Sequence, residues 1–415
     1  MNDLSRKLIL LTILMSGTQV ITLPFGSLTI FQIILIITWI VSIINLLQKR
    51  YLIVGKYLVF SLIFAASSVV AFVTSTYASW ARSYLLLGFM AAFLVLIFPT
   101  LFGRDDIQLL EKTLIRSQYI VLPFSIYSFY MFYFKGGLPN HISLFAGLYI
   151  DLDKDTILRA QAASQIRLTL PYATPPVLSI VTAMCIVMLL VDKKMFTKKI
   201  RWLLMITYTV VLVLTGSRTG IIALAILAVS VALKWVLQKR TIKIKQIAGI
   251  IVGLFAGIVL FVYFMNTTYM EKFINRFASV SLGFFMTDRH FLVPLDGVII
   301  WLSSLKNFFV GIGFGSSMNM QGAHTFLPPY FLNSFVTLVA ERGILGLILV
   351  VMLIHLARRM VRRYDEMKNE EKAITFAYIV GLISCVFYEG LTSYFLIFVI
   401  AVAYVVDFSY ELSIE

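Results

Sequence analysis

The stretch NSFVTLVAERGILGLILVVMLIHLARR, residues 333–359, decides the fold. Between Phe335 and Ala357 only Thr337, Glu341, Arg342 and His355 interrupt an apolar run long enough to cross the hydrocarbon of a bilayer as a helix. Asn333, Thr337 and Glu341 recur at i, i+4 and i+8, so an amide, a hydroxyl and a carboxylate share one face of that helix. A lipid-facing carboxylate is costly at membrane depth, which predicts that Glu341 faces the protein interior and marks a functional position. There it either pairs with an arginine such as Arg218 or Arg342 or takes a proton from a hydroxyl.

The same apolar character recurs on both sides of this stretch. Of 415 residues, 60% are hydrophobic and 13% charged, so a soluble core cannot hide the apolar surface. Successive runs of about twenty apolar residues fit membrane helices, and their continuous rather than alternating character excludes a transmembrane barrel. The expected fold is all-α, a polytopic transmembrane helical bundle of about twelve spans. The spans fall near 8–25, 28–47, 57–76, 83–102, 118–134, 175–192, 202–216, 219–237, 247–265, 334–356, 373–390 and 393–408. The organisation is then N-terminal helices over 1–134, an external loop over 135–174, helices over 175–265, a large external loop over 266–333 and C-terminal helices over 334–415. Short helices are expected within both loops. One covers Phe291 to Phe309, whose Pro294, Asp296, Gly297 and Lys306 suit an external or re-entrant helix better than a span. The first apolar run is expected to be a retained helix, because no small-residue cleavage site follows it.

Charge orients the bundle. With both termini in the cytoplasm, the basic connections around Arg6, Lys49, Arg104, Lys193, Lys239 and Arg358 all fall inside, as the positive-inside bias requires. The net charge of +15 is scattered between spans and forms no arm or stripe, so nucleic acid is not expected as a partner. Cys185 and Cys385 lie inside apolar spans without a metal or redox spacing and read as buried thiols. Asp151, Asp153 and Asp155 alternate, but the Gly and terminal Glu of a calcium loop are missing; neither a metal nor a cofactor is expected.

The informative cations are those on the outer side, where positive charge is normally depleted. Arg218 sits in GSRTG between two apolar segments: Gly216 and Gly220 permit a tight turn, and Ser217 or Thr219 can cap the helix that follows. A helix N-terminus beside a guanidinium suits phosphate, while a snorkelling arginine at the membrane border is the competing explanation. Arg159 and Arg167 precede the sixth span, and Arg289 follows Asp288 in the second loop. A diphosphate would account for several arginines on one side. His324, ahead of TFLPPYFLN, is a candidate general base or a plain surface histidine. The GIGFGSS run at 311–317 has no preceding strand and reads as a flexible turn, not a nucleotide fingerprint.

These pieces resemble the O-antigen polymerase and O-antigen ligase superfamily of bacterial envelope glycosyltransferases. The resemblance rests on LTGSRTG at 214–220, Arg289 followed by an apolar helix and GIGFG at 311–315, NSFVTLVAERGILGL at 333–347 with Glu341, Gly343 and Gly346, and IRLTLPYATPP ahead of the sixth span. It covers about residues 160 to 390. The ligases carry a histidine directly before the Asn of this helix; here Leu332 stands there, which favours a polymerase. The resemblance implies a glycosyltransferase joining undecaprenyl-diphosphate-linked oligosaccharide units at the outer face of the cytoplasmic membrane, with a flippase and a chain-length regulator as possible partners. It implies catalytic roles for Arg218, Arg289, His324 and Glu341, and substrate contacts for Arg159, Arg167, Ser217, Thr219, Asn333 and Thr337. A ligase-type glycan transferase and a lipid-oligosaccharide flippase remain as alternatives; the flippase would require matching discontinuous helices in two halves.

Overall fold

The apolar runs fold as α-helices, which satisfy every backbone group within one segment. The computed structural model describes residues 2–18, 21–23, 29–49, 55–135, 141–144, 148–151, 168–172, 174–238, 289–320 and 331–411. Helices α1 (Asn2–Met15), α2 (Ile30–Lys49), α3 (Gly55–Val73) and α4 (Ala78–Leu101) are followed by the amphipathic α5 (Ile107–Ser117) and α6 (Val121–Lys135). Then come α7 (Pro175–Val191), α8 (Lys198–Leu214) and α9 (Arg218–Gln238). The last group is α10 (Arg289–Leu302), the short α11 (Leu305–Val310), α12 (Ser334–Arg362), α13 (Asn369–Phe387) and α14 (Tyr394–Glu411). Three of these are long and apolar enough to cross a membrane: Ile30–Gln48, Tyr84–Leu101 and Ser334–Arg362. The apolar span expected at 247–265 lies outside the described residues.

Helices α7, α13 and α14 form the centre. Residues 395–406 of α14 are buried on every side, and α7 is buried from Val177 to Leu189. At the periphery, α8 turns Trp202, Leu203 and Ile206 outward, and α12 does the same with Val351 and Ile354. Helices apolar on both their inner and outer faces belong in a lipid environment.

The two ends of the bundle differ. One end is tied by ion pairs: Arg6 to Asp106, Arg104 to Glu371 at 2.5 Å, Arg359 to Asp407 at 2.7 Å, and Lys368 to Asp105 at 3.8 Å. They join the start of α1, the turn before α5, the end of α12, the start of α13 and the end of α14. The other end holds the α3–α4 connection, the GIGFG run, the start of α12 and the α13–α14 connection.

Where the sequence reads as short helices in both loops, the described part of 135–174 holds a strand pair instead. His141–Ser143 and Tyr149–Asp151 pair antiparallel, with Ile142 opposite Ile150. Both isoleucines alternate with polar neighbours and bury against Ile21 and Leu170, so a period of two prevails over helix propensity. In the second loop the expected helix forms as α10 and α11; Ser304 interrupts them and caps α11, its Oγ accepting from the Asn307 N–H.

Glu111 of α5 is fully buried beside Asp192, which follows α7. Burial, and then the neighbouring Asp192 charge, hold its carboxyl well above the usual carboxylate range. The folded protein therefore retains a proton that the unfolded chain loses near pH 4.5, and stability falls as pH rises above that value. Glu111→Gln is expected to flatten this decline. Melting in detergent across the neutral range checks it: the variant should melt higher than the native protein at the alkaline end, and parallel curves would refute the assignment.

Candidate functional site

The site forms where α12 breaks. Regular helix continues on either side, but Gly343 has φ 59° and ψ −139°, a conformation outside the helical region that glycine adopts without a Cβ penalty. The break leaves carbonyl groups without their usual helical donors, and the GIGFG run supplies replacements. The Ile312 N–H donates to the Ala340 carbonyl at 2.9 Å, and the Gly313 N–H to the Glu341 carbonyl at 3.1 Å. Irregular backbone at membrane depth is tolerated only where protein satisfies it in this way.

The GIGFG run is therefore a buried structural element, which corrects the flexible turn expected from its glycines. Residues 311–317 are all buried. Gly311, Gly313 and Gly315 have φ of 82°, 87° and 64°, and between them Ile312 and Phe314 turn inward. The Phe314 N–H donates to the Ala71 carbonyl at 3.0 Å, and Ser75 Oγ donates to the Phe314 carbonyl at 2.6 Å, fastening the run to the end of α3. Alternate glycines with apolar residues between them are the signal in the sequence.

Glu341, Arg342 and Glu389 meet at this break and interact electrostatically. All three are buried. Glu341 Oε1 accepts from the Gly315 N–H at 2.8 Å. Arg342 Nη1 donates to Ser67 Oγ and Ser68 Oγ of α3, each at 3.0 Å, and its guanidinium lies 4.9 Å from the Phe64 ring centroid and 5.1 Å from that of Phe314. Of the two arginines expected beside Glu341, Arg342 is its neighbour in the same helix, and its guanidinium turns to Ser67 and Ser68 of α3. The hydrogen bond goes instead to a backbone N–H, because the helix break brings Gly315 to the carboxylate. The sequence does not single out Glu389, the third member. It lies between α13 and α14, and Thr337 Oγ1 lies 2.6 Å from its Oε2.

The Asn333–Thr337–Glu341 stripe holds, with roles that differ along it. Asn333 caps α12: its Oδ1 accepts from Phe335 and Val336 N–H groups at 3.0 and 3.1 Å, and its Nδ2 donates to the Val386 carbonyl at 2.8 Å. Both ends of its amide are thereby engaged by the protein itself. Thr337 Oγ1 accepts from the Phe331 N–H at 3.1 Å and faces Glu389. Thr337, Glu389, Glu341 and Arg342 form the polar centre.

Arg218 begins α9, as GSRTG predicts, with Gly216 at φ 56° making the turn. The capping differs from the expected one. Ser179 of α7, not Ser217 or Thr219, reaches the first turn: its Oγ accepts from the Gly220 N–H at 3.3 Å and lies 3.1 Å from Ser217 Oγ. Ser217 and Thr219 are buried, and Arg218 is partly exposed. A side chain at Gly220 would enter the Ser179 carbonyl, so α9 and α7 touch backbone to backbone here. The next residue of α7, Ile180, approaches Gly390 beside Glu389. The first turns of α7 thus have the GSRTG turn against Ser179 and the Glu389 connection against Ile180, at the same end of the bundle.

Arg289 is the first residue of α10, and its side chain lies outside what the structure describes. Arg159, Arg167 and His324 lie outside the described residues, although both flanks of 321–330 are anchored at the site: Asn319 Nδ2 donates to Thr76 Oγ1 at 3.1 Å, and Phe331 binds Thr337. Chemically, the arrangement offers two carboxyl groups and a hydroxyl around one guanidinium, with a further guanidinium at a helix start on the same end. No protein-family model matches this chain, and no curated relative matches it.

Proposed function

We propose that this chain is a membrane glycosyltransferase of the O-antigen polymerase and ligase superfamily. It polymerises undecaprenyl-diphosphate-linked oligosaccharide units into O-antigen, capsular or exopolysaccharide at the outer face of the bacterial cytoplasmic membrane. Both termini are cytoplasmic in this proposal, with the ion-paired end inside and the broken-helix end outside. The observation that carries it is the shared end of two features: the Arg218 helix start, suited to a diphosphate, and the Glu341–Arg342–Glu389 centre, suited to a proton.

In the proposed reaction the acceptor sugar hydroxyl attacks the anomeric carbon of the donor. A new glycosidic C–O bond forms, the C–O bond to the diphosphate breaks, and the hydroxyl proton passes to a carboxylate. Arg218 stabilises charge growing on the departing diphosphate. Purified protein in vesicles with undecaprenyl-diphosphate oligosaccharide should yield a ladder of longer chains and free undecaprenyl diphosphate. Arg218→Ala is expected to lower ladder formation by about a hundredfold at unchanged protein level, and Lys to restore only part of it. A full ladder from the Ala variant would refute the role.

One observation favours a second reading, a lipid-oligosaccharide flippase: α12 is discontinuous, as transporter helices often are. Movement of the lipid-linked unit between leaflets without any ladder would select it. Topology is tested separately. A cysteine placed at the exposed Ser303 should react with an impermeant thiol reagent in intact cells, and one at the exposed Lys368 should not; the native Cys185 and Cys385 are buried. The reverse pattern would invert the bundle.

A further inference from the structure

A second feature with binding chemistry lies at the ion-paired end, away from the broken helix. Lys112, Arg116 and Tyr119 occupy one face where α5 runs into α6, at helical spacing. Across from them the α7–α8 connection brings Lys194 and Phe196, and α8 brings Ile200; together they line a hollow of about 520 Å³. Three cations border it and no carboxylate does. Lys112 Nζ rests 5.6 Å from the Phe196 ring centroid. Arg6, Arg104 and Arg359 at this end are tied to Asp106, Glu371 and Asp407, whereas Lys112, Arg116 and Lys194 have no ion pair among the described residues. The amino end of α8 opens on the same hollow, and Thr197 there makes no side-chain capping bond.

Below the hollow the surface changes character. On α8, Ile200, Leu203, Ile206 and Val210 are 45%, 65%, 60% and 50% exposed and follow one stripe. On α6, Leu122 and Ile126 are 46% and 61% exposed. Tyr208 of α8 donates its hydroxyl to the Ile115 carbonyl at 3.3 Å, which holds α8 against the end of α5. Cations at the mouth and apolar helix faces beneath complement a molecule with an anionic head and acyl chains.

We propose that this hollow is a binding site for a phosphate-bearing anion, the headgroup of an anionic phospholipid whose chains lie along α6 and α8. The cations hold the phosphate, the α8 amino end adds its N–H groups, and the exposed stripes carry the acyl chains. A free phosphate would use the cations and leave the stripes without a role. The inference rests on the membrane character of the helices and not on the proposed glycosyl transfer.

Native mass spectrometry of the full chain, released from phosphatidylcholine vesicles doped with phosphatidylglycerol, tests it. The native protein should retain phosphatidylglycerol over phosphatidylcholine, and phosphatidylglycerol should raise its melting temperature in detergent. A double variant, Arg116→Gln with Lys194→Gln, both at exposed positions, should lower retention on the order of tenfold. Melting without added lipid shows whether the double variant is folded; should it be unfolded, Lys194→Gln alone serves, with a smaller loss of retention. Equal retention by native and variant protein would overturn the site. Protection by inorganic phosphate equal to that by phosphatidylglycerol would overturn the lipid assignment in favour of a soluble anion.

Discussion

Gly343→Ala and Gly346→Ala are expected to remove most folded protein from the membrane fraction. At Gly343 a side chain would adopt φ 59° and place its Cβ 2.5 Å from the Phe309 carbonyl group. At Gly346 the Cβ would fall into the Leu338 carbonyl, on the far side of the break. A strained φ costs about 1–3 kcal/mol and forced backbone movement about as much again, so Gly343→Ala consumes a large part of the ~5–15 kcal/mol typical of a domain. Gly55 has nothing within 4 Å of its would-be Cβ and serves as the control, since Gly55→Ala should accumulate normally. Detergent extraction followed by gel filtration reads the outcome. Wild-type yields of monodisperse Gly343→Ala would mean that the break is not a fixed part of the fold.

On the glycosyl transfer proposed above, Glu389→Gln is expected to leave a folded protein that makes about a hundredfold less polymer, the scale of a lost proton acceptor. The amide keeps an oxygen for Thr337 and gives up the charge. Glu341 behaves differently because its carboxylate holds Gly315 and shares its surroundings with Arg342. Glu341→Ala should lower heat stability together with activity, by about 1–3 kcal/mol, since it leaves the buried Gly315 N–H without its acceptor and removes one of the two carboxyl groups near Arg342. The pair of measurements, heat stability and chain length, separates the two carboxylates. Normal chain lengths from Glu389→Gln would take it out of the chemistry, and an unchanged melting temperature for Glu341→Ala would take it out of the structure.

The sequence announces the helices well, because each needs only a local apolar run. It also announces Gly216 and Arg218, since a glycine-flanked polar turn between two such runs has few other forms. Glu341 is legible for the same reason: one acid in an apolar helix stands out. Glu389 is harder to see. It sits in FYEGLTSY at the last turn of the span expected at 373–390, and its partner Thr337 is 52 residues away, so its burial depends on packing between α12 and the α13–α14 connection. The break at Gly343 is hidden too, because Glu-Arg-Gly-Ile-Leu-Gly continues an apolar helix by composition. Only the distant GIGFG run explains how its carbonyls are satisfied. Ser179 as the cap of α9 likewise comes from another helix, where local capping rules cannot find it.

Arg342 reaches Ser67 and Ser68 across 275 and 274 residues of chain. During synthesis, α3 leaves the ribosome long before α12 exists, and its two hydroxyls wait for a guanidinium that arrives late. The Glu341–Arg342 pair therefore enters the bilayer after α3 and the GIGFG run, and must be held until both close around it. Contacts of such long sequence separation form slowly. Completion of the broken helix is accordingly a late event in folding.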